Sequence, residues 1–222
     1  MLNYFFAAVL FFIIQFALKA NESISKLQLE KEQILLENYK VQLQELRTKV
    51  DPHFLFNSFN TLRTMIRNHH PSSEKFVMSL SNFYRLTLSL NNTSTTSLKD
   101  EIDVLKSYFF LMQTRNEGAI KVSIDVEESL LQKQIPTLSL QILAENCFKH
   151  NRISSSKPLE INIYTDNNYI FIKNNRLPKL TVAEISGFGL ENIAQRYALL
   201  KISDGILKSS DEEKFEVKLK LI

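Results

Sequence analysis

A segment without glycine or proline, from Asn21 to Val50, is the feature that most constrains how this chain folds. Leucine or valine recurs at every seventh position, and Glu, Lys and Gln fill most of the others. Such a repeat is typical of helices that pair along one apolar seam. We therefore expect a coiled-coil-like helix over residues 19–48, paired in a parallel homodimer. The repeat consists of Leu29, Leu36, Leu43 and Val50.

An almost wholly apolar stretch, from Leu2 to Leu18, precedes this helix. About seventeen residues is the short end of a membrane-spanning helix. A secretory signal peptide is the alternative, but it needs basic residues before the stretch, and the N-terminus has none. We expect a membrane anchor over residues 1–18 in the inner, cytoplasmic membrane. Basic residues after it, beginning with Lys19, place the rest of the chain in the cytoplasm.

The next segment, Pro52 to Asn57, places a histidine in an otherwise apolar helix. Pro52 fits a first helical turn, or it kinks a longer helix. Polar side chains share one face because they recur every three or four residues; they are His53, Asn57, Asn60 and Thr64. We expect a separate apolar stripe to be buried, made of Leu55, Phe59, Leu62 and Ile66.

Two interpretations of His53 are open at this point. Most single histidines on a helix are surface or interface residues. Alternatively, His53 is a nucleophile, because an imidazole is partly unprotonated near neutral pH and can attack a phosphorus centre. Residue type alone favours the first interpretation, and the choice depends on motifs about ninety residues further along the chain.

A helical hairpin is expected around this histidine. The helix after His53 runs to about Asn68, a turn follows, and a second apolar-striped helix starts near Ser73. Two antiparallel helices per chain form a four-helix bundle when the chain dimerises. The polar segment from Asn91 to Thr96 marks a boundary, so we predict a dimerisation domain over residues 49–96.

Residues 97–222 show a mixture of helix and strand patterns. Ser97 and Asp100 form a capping box at the start of one helix. Strand periodicity and turn residues predict a hairpin on either side of Asp166. Mixed elements of this kind predict an α/β sandwich with helices layered on one sheet, and an α+β class overall. The other predicted elements are strands 120–126 and 215–222 and helices 136–151 and 189–201.

Composition narrows the function classes. The formal net charge is +3, from 27 basic and 24 acidic residues, which is too balanced to favour nucleic acid as a direct partner. The single cysteine, Cys147, excludes an internal disulfide and suits a reducing compartment. A hydrophobic content of 44% predicts a packed core rather than disorder.

Two downstream patterns point to phosphate chemistry. Asn146, Lys149 and His150 share one face of a helix, and together they offer one neutral oxygen ligand and two possible cations. A Mg²⁺-bound triphosphate needs that combination of groups. Gly187 and Gly189 begin another helix, where backbone N–H groups can approach a phosphate. Each pattern is weak alone, and neither is a Walker loop.

The three motifs, in this order, resemble the LytS-type sensor histidine kinases. The stretch Pro52-His-Phe-Leu-Phe-Asn57 reproduces the core of that family's phosphoacceptor helix. Residues 139–150 are similar to its asparagine box, residues 187–193 resemble its glycine box, and residues 98–115 match the intervening segment. The resemblance implies that residues 97–222 form an ATP-binding catalytic domain of the kind that gyrase and heat-shock protein ninety share.

The resemblance also implies a role for each matching position. His53 would accept the γ-phosphoryl group of ATP, with Asn57 hydrogen-bonded near its imidazole, and Asn146 would ligate Mg²⁺. A response regulator, expected to be of the LytTR type, would receive the phosphoryl group on an aspartate. The implied nucleotide-binding residues are Asn146, Lys149, His150, Asn174, Asn175, Gly187, Gly189 and Leu190.

One departure from the family keeps a second hypothesis in view. The family often carries Asp-Asn-Gly where this chain has Asn174-Asn-Arg176. A neutral Asn174 accepts a weaker hydrogen bond from adenine than a carboxylate would, and Arg176 stiffens the loop. The alternative to a kinase is therefore a catalytically weak or inactive dimeric scaffold. A purely structural coiled-coil membrane protein fits poorly, because residues 120–222 are rich in strands and motifs.

Overall fold

A computed structural model describes residues 51–90, 93–179 and 188–222, together with Gln15, Lys19, Lys26, Gln28, Lys31 and Glu32. The chain divides into two units, residues 1–51 and residues 52–222, and the second is described below. Apart from those six residues, the expected membrane anchor (1–18) and signalling helix (19–48) lie outside the described residues. Among the residues that the structure describes, no helix is long and apolar enough to cross a membrane.

Residues 52–222 form a mixed unit of helices and strands, which confirms the α+β class. The helices are α1 (Pro52–Arg67), α2 (Ser73–Leu90), α3 (Leu98–Arg115), α4 (Ser139–His150) and α5 (Phe188–Leu199). A short 3₁₀ helix spans Glu128–Leu130. The strands are β1 (Thr95–Ser97), β2 (Ile120–Asp125), β3 (Gln134–Pro136), β4 (Leu159–Asp166), β5 (Tyr169–Asn175), β6 (Ile206–Ser210) and β7 (Lys214–Lys220).

The larger sheet has five strands in the order β2-β4-β5-β7-β6, with β2 parallel to β4 and every other pair antiparallel. Alternate residues of its central strands are buried, as expected for a sheet with one covered face. Helices α3, α4 and α5 contact that sheet. The predicted hairpin is confirmed, because β4 and β5 pair around the turn that follows Asp166.

Helix α1 begins at Pro52, so this proline lies in a first helical turn, as one of the two alternatives predicts. The expected burial of the apolar stripe is wrong for Phe59 and Ile66, which are 52% and 57% exposed in the single chain, whereas Leu62 packs against the core. The helix instead buries Phe54, Ser58 and Met65. The reason is the position of α2 and α3, which offer aromatic partners to Phe54 on a neighbouring face of the helix.

Helix α3 begins as the sequence predicts. The backbone N–H of Asp100 donates to the Ser97 hydroxyl at 3.1 Å, and that hydroxyl donates to the Asp100 carboxylate at 2.6 Å. In an ordinary capping box the side chain at the third helical position accepts from the backbone N–H of the capping residue. Here the Asp100 carboxylate accepts from the Ser97 hydroxyl instead. Strands β1 and β3, which the sequence did not predict, pair beside this cap.

An aromatic cluster joins the α1–α2 hairpin to α3 and α4. The ring of Tyr108, on α3, lies 5.4 Å from Phe54, 5.5 Å from Phe83 and 5.7 Å from Phe148. Such ring pairs contribute about 0.5–1.5 kcal/mol each beyond the area they bury. Phe54 follows His53 directly, and Phe148 precedes Lys149, so this cluster connects the segment that carries the histidine to the segment that carries the asparagine motif.

Replacing the central ring of α2 tests this cluster. We expect Phe83→Ala to lower the free energy of unfolding by about 3–5 kcal/mol, because the truncation leaves a cavity among Phe54, Tyr84 and Tyr108. Denaturant unfolding of the full chain measures this. Leu199→Ala, at a residue that is 83% exposed, is the control and should change the value by less than about 0.5 kcal/mol. Equal losses in the two variants would contradict the prediction.

Candidate functional site

The main candidate site is a cavity of about 480 Å³ between α4, α5 and the ends of β5, β6 and β7. Its volume falls within the range of small-molecule sites. Five predicted residues line it: Asn146, His150, Asn174, Gly189 and Leu190. Arg176, which the sequence marked as a departure, also lines it, as do five residues that the sequence did not single out: Cys147, Asn151, Pro178, Ser210 and Phe215.

Asn146 and Gly189 meet at this cavity. A Cβ atom added to Gly189 would lie 3.1 Å from the amide nitrogen of Asn146 and 3.1 Å from a methyl carbon of Ile142. Both distances are shorter than ordinary van der Waals contact. Glycine therefore lets the start of α5 approach the Asn146 side chain. The structure brings the asparagine motif and the second glycine together, whereas Gly187 lies outside the described residues.

Asn174 lies at the inner end of the cavity and is only 2% exposed. Its amide nitrogen donates to the carbonyl of Asn175 at 2.7 Å. Its amide oxygen lies 3.5 Å from the Cys147 thiol, which is also within 3.3 Å of the Leu143 carbonyl. Because the nitrogen is engaged by backbone, this orientation presents Asn174 to the cavity as a hydrogen-bond acceptor.

The pKa of His150, which lines the cavity, depends on the charges near it. Burial lowers the pKa of His150, and the positive charges of Lys149 and Lys179 lower that pKa further. These effects favour the neutral imidazole in the ligand-free protein, whereas a bound anion would raise the pKa of His150. Lys149 is exposed and does not line the cavity.

Asn175 and Asn151 act on the backbone around the cavity. The Asn175 side chain accepts from the N–H of Glu160 at 2.8 Å and donates to the carbonyl of Pro158 at 3.0 Å, so the structure places it away from the cavity. The buried Asn151 side chain lines the cavity, donates to the Cys147 carbonyl at 2.9 Å and accepts from the N–H of Leu177 at 2.6 Å. The sequence could have indicated Asn151 as a cavity residue, because it directly follows His150.

Arg176 connects two walls of the cavity. Its backbone N–H donates to the Glu213 carbonyl at 2.7 Å, and its guanidinium donates to the carbonyl of Asp211. These contacts hold the end of β5 against the β6–β7 turn. The two bonds restrict the backbone at Arg176, which is the stiffening that the sequence predicts. They also restrict one rim of the cavity, because Ser210 and Phe215 line it on either side of the β6–β7 turn.

His53 lies elsewhere, on an exposed face of α1. The amide nitrogen of Asn57 lies 3.0 Å from Nε2 of His53 and 3.3 Å from its Nδ1. The Asn57 side chain therefore contacts the imidazole of His53 from one helical turn away. His53 does not line the cavity, so the structure does not bring the histidine and the asparagine motif into one site.

Comparison with known proteins agrees with these motifs. Residues 41–120 match the family model for histidine kinases. A sensor protein LytS of Enterococcus faecalis is 30% identical over 183 residues, which cover 75% of this chain and 31% of that protein. A LytS of Oceanobacillus iheyensis is 36% identical over 67% of this chain and 26% of its own length.

Two further comparisons cover less of this chain. The sensor histidine kinase BtsS of Escherichia coli is 33% identical over 55% of this chain and 21% of its own length. The solved cytoplasmic segment of the histidine kinase QseC aligns with 65% of this chain and 92% of its own, at 14% identity and a TM-score of 0.39. A structural likeness at those values does not bear on the function of this chain.

The chain belongs to the histidine kinase family. Within that family, the identities above relate it to the LytS-type sensor proteins, which confirms the resemblance seen in its motifs. It spans less than a third of the length of these curated relatives. None of these findings favours the inactive scaffold.

The contact between Gly189 and Asn146 leads to a prediction. Gly189→Ala should weaken Mg²⁺·ATP binding about tenfold, because the new methyl group displaces the Asn146 amide, at a cost comparable to a lost hydrogen bond. Isothermal titration calorimetry of the full chain measures the affinity. Gly118→Ala is the matched control: its φ of 70° strains the backbone and lowers stability, but nothing lies near its Cβ position. Unchanged affinity in Gly189→Ala would refute the prediction.

The lowered pKa of His150 predicts that nucleotide affinity depends on pH. Binding an anion raises the His150 pKa, so the complex takes up a proton. Affinity is then highest below the lowered pKa of His150 in the ligand-free protein, and it falls as pH rises through the pKa of the complex. His150→Gln should flatten this profile between pH 5.5 and 8, whereas His69→Gln, at an exposed turn, should not. A slope of opposite sign would contradict it.

Proposed function

We propose that this chain is the kinase part of a dimeric sensor histidine kinase in a two-component system. It uses ATP to phosphorylate His53 and then passes the phosphoryl group to an aspartate of a response regulator. The observation that supports this most directly is the cavity in which Asn146, His150 and Gly189 converge. The histidine motif, intact from Pro52 to Asn57, supplies an acceptor for the phosphoryl group.

The groups that line the cavity fit a nucleoside triphosphate. The acceptor oxygen of Asn174 suits the amino group of adenine, and the nearby side chains of Phe215 and Leu190 offer apolar contact to a base. Asn146 and His150 lie on the side of α4 where phosphates would be received. Lys149, one residue away and exposed, adds positive charge along the approach of an anion.

A divalent cation fits the same side of the cavity. The Asn146 amide offers a neutral oxygen at the point where α5 comes nearest, and oxygen ligands of this type suit Mg²⁺. When bound, Mg²⁺ would neutralise charge on the transferring phosphoryl group. The part of the protein is to hold Asn146 and to keep the start of α5 close enough to cover the phosphates.

Phosphoryl transfer requires His53 to reach the cavity. A bond forms between an unprotonated imidazole nitrogen and the γ-phosphorus while the bond from that phosphorus to the β–γ bridging oxygen breaks, and ADP leaves. The Asn57 amide contacts this imidazole and restricts its orientation. Because His53 does not line the cavity of its own chain in this structure, transfer needs either a movement of the hairpin or the cavity of a second chain.

The homodimer is supported by apolar surface on the hairpin. Phe56 and Met78 are more than 60% exposed, and Phe59 and Ile66 more than half. Exposed aromatic and aliphatic side chains on adjacent helices indicate an interface, and pairing two hairpins into a four-helix bundle would cover them. We propose that the heptad repeat of residues 19–48 continues this interface toward the N-terminus.

The remaining proposals follow from the relatives and from the N-terminal sequence. Residues 1–18 anchor the chain in the inner membrane, and the kinase part lies in the cytoplasm. The partner is a response regulator of the LytTR type, as the resemblance to LytS-type kinases implies. The near-neutral net charge is consistent with a chain that does not itself contact nucleic acid.

Labelled ATP tests the central proposal. The full chain, incubated with γ-labelled Mg²⁺·ATP, should acquire label that is lost in acid and kept in alkali, because a phosphoramidate to an imidazole is acid-labile. His53→Gln should lose at least about 99% of the label, since no other acceptor is proposed. His69→Gln is the control and should keep it. Absence of label in the wild type, together with no nucleotide binding, would overturn the proposal.

Restoring the family's carboxylate tests the place of the base. Asn174→Asp should tighten Mg²⁺·ATP binding about three- to tenfold, because a charged acceptor makes a stronger hydrogen bond to an amino group than a neutral one. GTP, which carries a carbonyl at the corresponding position, should gain nothing. The two affinities, measured side by side, check this. Equal gains for both nucleotides would mean that Asn174 does not read the base.

A further inference from the structure

The N-terminal end of α4 is capped by a carboxylate from another helix. Glu101, in the first turn of α3, is only 1% exposed. One of its oxygens accepts from the N–H of Leu138, and the other accepts from the N–H of Leu140 at 2.9 Å. A helix start leaves its first N–H groups without partners inside the helix. Leu138 has a left-handed backbone and no side-chain cap, so the cap comes from α3.

A cation from α5 binds the same short segment from the other side. The guanidinium of Arg196 donates to the carbonyl of Thr137, directly before Leu138. Its positive charge also favours the ionised form of Glu101. Residues 137–140 are therefore held twice, at their N–H groups by α3 and at a carbonyl by α5.

This arrangement carries an electrostatic cost. Burial raises the pKa of Glu101 to about 7, and Asp100 adds to the rise, whereas the N–H groups of Leu140 and Leu138 and the charge of Arg196 oppose it. Tyr197, whose pKa is raised by burial and by Glu101, also faces this carboxyl group. An apolar side chain would fill the space without that desolvation. The carboxylate, unlike an apolar side chain, accepts two directional hydrogen bonds, from the N–H groups of Leu138 and Leu140.

We propose that Glu101 and Arg196 are positioning residues for the nucleotide site, and that together they fix α4 against α5 so that Asn146 and His150 face the phosphates. This inference rests on the function proposed for the cavity. Neither residue lines that cavity, so each acts through the helices rather than by contact with nucleotide.

The geometry of the two helices gives the reason. Asn146 lies seven residues after Ser139, and Arg196 lies seven residues after Gly189, so each spacing is two helical turns, about 10 Å along an axis. The helices are tied at one end and meet at the other, where a Cβ atom on Gly189 would lie 3.1 Å from Asn146. Loosening the tied end therefore changes the separation at the cavity.

Cys147 supplies a reporter that is independent of activity. It is the only cysteine in the chain, it lies on α4, it is 4% exposed, and it lines the cavity. A buried thiol reacts only when its surroundings open, so the rate of its modification measures how firmly α4 is held. A small uncharged maleimide serves as the probe on the full chain without nucleotide.

Two variants remove the two halves of the hold. Glu101→Gln keeps the shape but replaces one acceptor oxygen with a donor, and Arg196→Gln removes the guanidinium. We expect each to speed Cys147 modification about tenfold or more. Both variants together should produce less than the product of the single effects, because both act on residues 137–140. Glu128→Gln, on the exposed 3₁₀ helix, is the matched control and should leave the rate unchanged.

Nucleotide binding supplies the second readout, at a temperature where every variant is fully folded by circular dichroism. We expect the KM for Mg²⁺·ATP in autophosphorylation to rise about tenfold in both variants, with a smaller change in kcat, because misplaced Asn146 and His150 weaken binding first. Arg196→Lys should recover part of the loss, since an ammonium group can still donate to the Thr137 carbonyl.

The outcomes separate this inference from the proposed function. Labelling rates and KM values equal to those of wild type and Glu128→Gln would overturn it. If Glu101→Gln does not fold, Arg196→Gln and Arg196→Lys decide the matter alone. If the wild-type chain binds no Mg²⁺·ATP, the proposed function fails; faster Cys147 modification would then still support the hold on α4, and an unchanged rate would overturn it.

Discussion

Burial of α3 on both of its sides is the constraint on which the rest of the structure depends. Nine of its side chains are buried, and they are distributed around the helix rather than along one stripe. A helix of this kind is stable only when it is enclosed. One side contacts the α1–α2 hairpin, and the other contacts α4 and the sheet. The helix is therefore a shared core element between the histidine segment and the helix that lines the candidate cavity.

The first turn and the middle of α3 make different kinds of contact with the neighbouring helices. Its first turn uses hydrogen bonds, through Glu101, to fix the start of α4. Its middle uses aromatic packing, through Tyr108, to hold the hairpin and the far end of α4. Hydrogen bonds specify direction, whereas ring contacts tolerate small rotations. The first turn of α3 therefore fixes the start of α4 by direction, and its middle fixes the hairpin by packing.

Much of this architecture could be predicted from local pattern, and the failures have physical causes. The α4 and α5 helices, the β4–β5 hairpin and the cap at Ser97 have strong local signals. Strands β1 and β3 have three residues each and pair across a long separation, so their pattern is too short to detect. The buried face of α1 was misassigned because the helix carries apolar residues on more than one face. Tertiary packing, which the local pattern does not show, buries Phe54 rather than Phe59.

The candidate site shows the same division. Asn146, His150, Gly189 and Leu190 line the cavity, as the motifs implied, because each motif is local to one helix. Asn175 points to the backbone of β4 instead, a contact that depends on strand pairing. Glu101 could not be found, since a glutamate in a first helical turn is normally exposed and complements the helix dipole. Only the fold shows that α4 begins at its carboxylate.

The neutral side chain at Asn174 affects the stability of the protein when its cavity is empty. A carboxylate at this depth would be an unpaired buried charge whenever the cavity is empty, whereas an amide bonded to the Asn175 carbonyl is satisfied in either condition. A ligand stabilises a fold by an amount that grows with the logarithm of the ratio of its concentration to its dissociation constant, so a weakly bound ligand adds little. A chain that binds nucleotide modestly but keeps a satisfied empty cavity would hold nearly constant stability as cellular ATP rises and falls.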